Sequence, residues 1–118
     1  MIVAGFGFST QAGADSIADA MRQQAVRPDA LATLDRKAGA LTDMTRGLGL
    51  PVIGVLEDDA AAQTTITHSE RSTTETGTTS VAEATALAAA GPGATLIGTR
   101  TISNDRMATC AIAKGPDT

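Results

Sequence analysis

The chain has 118 residues, only Phe6 and Phe8 as aromatics, nine Lys or Arg against thirteen Asp or Glu, and a formal charge of -4. One domain over residues 1–118 is expected, its single core built from Val, Ile, Leu, Met and many alanines, which suits thin layers of helix on sheet. The absence of a Lys/Arg cluster or an aromatic ladder argues against a nucleic-acid partner, and the lone Cys110 excludes an intrachain disulfide and a cysteine-based metal cluster. With no apolar run long enough to cross a bilayer and no leader at Met1, the sequence reads as a soluble cytoplasmic protein.

The chain opens on a short apolar run, Met1 to Phe8, whose β-branched head and following turn residues predict a buried strand. Gly5 and Gly7 place two positions without side chains at its carboxyl end, where open α/β sheets hold ligands, and Phe8 and Ser9 follow directly. The third glycine of a dinucleotide fingerprint is missing and no P-loop follows, so glycines that merely let backbones pack closely are at least as good a reading. Ile17, Ala20, Met21 and Gln24 recur at helical spacing in a segment from about Ala12 to Gln24, with Asp15 and Asp19 on its early turns. After Arg27-Pro28-Asp29, a second strand over Leu31–Asp35 runs into Arg36 and Lys37. Leu41, Met44, Thr45 and Leu48 mark a short helix that Gly49 can close, and Pro51 to Leu56 returns as a third strand. Strand, helix, strand twice over predicts βαβ units and a largely parallel sheet, and Glu57 to Ala62 has room for one helical turn.

Thr64 to Thr79 holds eight threonines and little to bury apart from Ile66, so it reads as a long surface loop, either a functional lid or a disordered segment. His68, the only histidine, lies in it with Glu70 and Arg71, and no catalytic triad can be assembled from the sequence. Ser80 and Glu83 form a Ser-x-x-Glu capping box opening a helix of very small side chains, with Val81, Ala84, Leu87 and Ala88 as its apolar stripe and Gly91-Pro92 as its stop. Gly77, Thr78 and Thr79 bring backbone amides and two hydroxyls to the positive end of that helix, where an anion could sit, although most capped helices bind nothing. Ala94–Ile102 and Met107–Ala113 predict two strands joined too tightly for a crossover, hence an antiparallel pair, with Cys110 a small buried residue. The expected fold class is α/β, a three-layer α/β/α domain with a mixed, mostly parallel sheet ending in that antiparallel pair.

The order of these motifs resembles a known family. A first strand ending Gly-Phe-Gly-Phe, a second running Ala-Thr-Leu-Asp-x-Lys, a helix opening Ser80-Val81-Ala82-Glu83-Ala84 and a last strand Met-Ala-Thr-Cys-Ala-Ile-Ala are similar to the cobalamin-biosynthesis CobE and CbiG C-terminal domain family, over Ile2 to Ala113 and in its free-standing form. The resemblance implies a role in building the corrin ring of vitamin B12, with precorrins or other polycarboxylated tetrapyrroles as the ligand class and other corrin-pathway enzymes as further partners. The sequence offers no metal site of its own, and no cofactor is expected. Lys37 matches the family's lysine after the second strand and Arg100 its basic position on the penultimate strand, whereas Ser9 stands where the family carries a basic residue.

The candidate substrate-binding residues are therefore Gly5, Gly7, Phe8, Ser9, Lys37, Gly77, Thr78, Thr79, Ser80, Glu83 and Arg100, gathered on one edge by strand carboxyl ends and a helix amino end. Their cations and amides complement the carboxylates of a tetrapyrrole; the alternative is that Lys37 and Arg100 are surface charges with solvated tips. Three functions compete: binding or delivery of a corrin intermediate, hydrolysis of a precorrin lactone in the manner of CbiG with Glu83 or a threonine assisting water, and a generic phosphate- or nucleotide-binding module. The capping role of Glu83 weighs against it as the general base, and the incomplete glycine pattern weighs against the third reading.

Overall fold

The computed structural model describes residues 1–61 and 81–115, with Ala61 and Thr99 described by their backbone alone. In chain order the elements are β1 (Ile2–Phe8), α1 (Ala14–Arg22), β2 (Ala30–Leu34), α2 (Ala38–Met44), β3 (Val52–Val55), α3 (Glu57–Ala61), α4 (Val81–Ala90), β4 (Thr95–Ile102) and β5 (Ala108–Lys114). The Thr64–Thr79 segment, the Gly77–Thr79 turn and the Ser80 cap lie outside the described residues.

The five strands form one sheet in the order β3-β2-β1-β5-β4. β1 pairs in parallel with β2 and β2 with β3, whereas β5 lies antiparallel between β1 and β4. Four strands thus point one way and β5 alone runs back, which is the mixed, mostly parallel arrangement that the two βαβ patterns and the short last connection imply. β2 is buried along its whole length, as a strand covered on both faces must be.

Alternation along β1 divides the core. Ala4 and Phe6 point to the face covered by α1 and α2, where they meet Ile17, Ala20, Leu31, Leu41, Cys110 and Ile112. Val3 points to the opposite face and packs with Ala32, Leu34, Val55, Ala60 and Ala84 beneath α3 and α4. The small side chains of α4 let it sink into the sheet, so that every residue from Ala82 to Leu87 is buried rather than only the stripe the spacing marks.

Element ends follow local chemistry. The expected helix over Leu41–Leu48 divides: α2 stops at Met44, a 3-10 turn spans Arg46–Leu48, and Gly49 closes it at φ 69°. Thr45 explains the break, because its hydroxyl bonds back to the Leu41 carbonyl at 2.7 Å. Gly91, at φ 100°, supplies the left-handed stop of α4. α1 is shorter than its pattern, and Gln24 just past its end is spent on the sheet, its amide nitrogen donating to the Cys110 carbonyl at 3.0 Å and to the Thr101 hydroxyl at 3.2 Å. No helix among the described residues is long and apolar enough to cross a membrane.

Candidate functional site

β1 and β2 are parallel neighbours in register, so their carboxyl ends meet. β1 ends at Phe8, and the Ser9 amide donates to the Met107 carbonyl at 2.9 Å, fastening the following loop to the start of β5. β2 runs at once into a 3-10 turn over Asp35–Lys37. The turn returns Lys37 toward β1, where its ammonium donates to the Phe8 carbonyl and stands 4.8 Å from the centroid of the Phe8 ring. Burial, and then the neighbouring Arg36, hold the Lys37 pKa below the ordinary lysine value.

Beside Lys37 opens a cleft of about 500 Å³. Phe8, Ala12, Ala40 and Met44 give it an apolar lining, and Ser9, Thr10, Arg36, Lys37 and Asp43 give it polar groups. Asp43 is paired with Arg46 at 2.7 Å, and Arg36 with Glu57 at the head of α3 at 2.8 Å.

The glycines of β1 face the other way, toward α4. A side chain at Gly5 would stand 2.1 Å from the Ala82 carbonyl oxygen and 2.6 Å from the Ala86 nitrogen, so Gly5 is a packing position beneath the helix and is closed to a ligand. Of the two readings of Gly-x-Gly, close backbone approach therefore explains Gly5. Gly7 is half-buried under Val81, and its carbonyl accepts the Thr109 hydroxyl at 3.2 Å.

Glu83 has no exposed surface, and its Oε2 accepts the backbone N–H of Arg100 at 3.2 Å. That contact depends on irregularity in β4, whose pairing with β5 shifts between Leu96 and Gly98 and again between Gly98 and Thr101. Each shift leaves an unpaired residue on the edge strand, and the second turns the Arg100 amide from the ladder to the helix.

Phe8, Ser9 and Lys37 are thus gathered in one cleft on the α1/α2 side, and Val81, the first residue of α4, lies over Gly7 at the same end of β1. Arg100 belongs to a different part of the edge: β4 stands three places from β2 in the sheet, roughly 14 Å at ordinary strand spacing. Sequence reading passed over Arg36, Asp43 and Met44 as cleft residues. For Arg36 the signal was present, a second cation beside Lys37 on the turn after β2; the others need the packing of α2 to be seen.

The β4–β5 turn flanks this edge and is tied to α1. Asp105 accepts the Ser16 hydroxyl at 2.6 Å and the Met107 amide at 2.9 Å, and Asp19 accepts the Asn104 amide. Hydroxyl bonds from Ser103 and Ser16, then the Met107 amide, hold the Asp105 carboxyl below the usual carboxylate range. The Asn104 amide and the Arg22 guanidinium do the same for Asp19.

Architecture and site together define a three-layer α/β/α domain whose cationic cleft lies at the carboxyl ends of its parallel strands. The profile of the family described as cobalamin synthesis G C-terminus matches residues 2–113, and the chain belongs to that family of cobalamin biosynthesis. Among solved structures it is similar to the cobalamin biosynthesis protein chiG from Agrobacterium tumefaciens, at 33% identity and TM-score 0.73 over 99% of this chain and 100% of that one. It is also similar to CobE, a protein from the cobalamin (vitamin B12) biosynthetic pathway, at 26% identity and TM-score 0.76 over 96% of this chain and 89% of that one. No curated protein matches the chain.

Proposed function

We propose that this chain serves cobalamin biosynthesis by binding a precorrin or other corrinoid intermediate, with the ligand's carboxylates at the cleft beside Phe8, Ser9 and Lys37. The observation that carries the reading is the placing of the Lys37 ammonium on the Phe8 carbonyl and over its ring at the side of a cleft of about 500 Å³. The ammonium is held by one strand end, at a place where carboxylates of a partly apolar ring can meet it. A lining of both apolar and polar groups suits a macrocycle whose face is greasy and whose rim is acidic.

Other features support binding rather than hydrolysis. Glu83, one of the two groups the lactone-hydrolase alternative names, is fully buried and engaged by the Arg100 amide; the other, a threonine of the Gly77–Thr79 turn, lies outside the described residues. A second cleft of about 520 Å³, between β3 and the end of α4, has Asp59 and no Lys or Arg among its described lining residues, which suits a polyanion poorly.

The test is to mix purified protein with a panel of corrin intermediates and record absorption spectra and ligand mass. A spectral shift or co-elution without chemical change is the expected result. A mass loss from the ligand would favour the hydrolase, and binding of ATP or NAD instead would favour a nucleotide module.

A further inference from the structure

We infer that Arg36 is a carboxylate receptor of the cleft, supplying a second cation beside Lys37 from the end of β2; this deepens the corrinoid reading and rests on it. Arg36 and Lys37 are consecutive on the 3-10 turn and both line the cleft. Their commitments differ. The Lys37 ammonium gives one N–H to the Phe8 carbonyl and stands over its ring, keeping point-charge donors for the cleft, whereas Arg36 is engaged only through Nε, to the Glu57 carboxylate at 2.8 Å.

Both side chains of the Arg36–Glu57 pair are open to water, at 63% and 67% of their surface, so it adds little to stability. It engages Nε alone. With Nε held from the head of α3, the two terminal nitrogens of the guanidinium have no partner among the described residues and form the fork that takes a carboxylate through two parallel hydrogen bonds. Asp43, the one carboxylate among the described lining residues, has its charge met by Arg46 at 2.7 Å and competes weakly for that fork.

The test uses the full chain, as wild type, Arg36→Gln and Arg36→Lys, titrated with two corrinoids: cobyrinic acid, whose peripheral groups are free carboxylates, and cobinamide, in which they are amides. Wild type is expected to prefer cobyrinic acid. Arg36→Gln should weaken cobyrinic acid binding by about tenfold or more and leave cobinamide binding unchanged, with an unchanged melting temperature because the side chain is exposed. Arg36→Lys should fall between the two, since an ammonium keeps the charge and loses the fork. Equal affinities of wild type and Arg36→Gln for cobyrinic acid overturn the inference while the corrinoid reading stands. Failure of wild type to bind cobyrinic acid overturns both.

Discussion

Replacing Gly5 by alanine tests the packing that brings α4 onto the sheet. The new methyl would lie 2.1 Å from the Ala82 carbonyl oxygen, 2.6 Å from the Ala86 nitrogen and 2.7 Å from the Thr85 hydroxyl, where ordinary contact begins at 3.4 Å. The first two atoms are helix backbone and cannot rotate away, so the helix itself must retreat from β1. Overpacking of this kind costs about 1–3 kcal/mol, and two backbone clashes put it at the upper end. Against this, alanine restricts the unfolded chain and returns about 0.4–1 kcal/mol. A net loss of about 2 kcal/mol remains. At roughly 2.1 cal/mol/K per residue of unfolding entropy, a chain of 118 residues should then melt about 8 °C lower. Gly39→Ala is the control, because that glycine is exposed within α2 and nothing stands within 4 Å of the added methyl; it should gain about 0.5 kcal/mol. Thermal unfolding by circular dichroism reads both. A Gly5→Ala protein melting at or above wild type would refute the close approach of α4 to β1.

Lys37→Ala should weaken corrinoid binding by roughly 1–3 kcal/mol in a spectroscopic titration, as for loss of a charge-assisted contact. In acid, Asp19 and Asp105 should matter together: their folded pKa values are depressed, so the stability they contribute is present above about pH 4 and is lost as pH falls through the folded values. Denaturation midpoints should accordingly show Asp105→Asn less stable than wild type near pH 7, with the difference shrinking in acid; a constant difference would contradict the assignment. Cys110 is fully buried and its thiol is pushed up to about 12 by that burial, so it should ignore a thiol reagent in the native protein and react on unfolding. Rapid native labelling would mean that β5 opens far more readily than a central strand should.

The fold was legible because its signals are local. A short apolar run with a β-branched head places β1 and a period of 3.6 places α1, Gly49 and Gly91 stop their segments by a left-handed residue, and the four residues between Ile102 and Met107 leave no room for a crossover. Residue type announces a cation at Lys37 and a small residue at Gly5, but which neighbour each meets is set across the sheet. The Ala82 carbonyl over Gly5 lies 77 positions away in the chain, and no spacing rule reaches that far. The same limit applies to Glu83, whose local pattern announces a cap while the contact with Arg100 arises from a bulge in β4. The Arg36 fork needed the position of Glu57 at the head of α3 to become visible.

The most direct measurement of the central claim is an equilibrium titration of wild type and Lys37→Ala with corrin intermediates, followed by absorption at low and raised salt. A saturable shift in the ligand spectrum is predicted, with ligand mass unchanged, weakened by salt and by loss of the Lys37 ammonium. A spectrum that stays constant across the whole panel, or a shift identical in Lys37→Ala, would contradict the account.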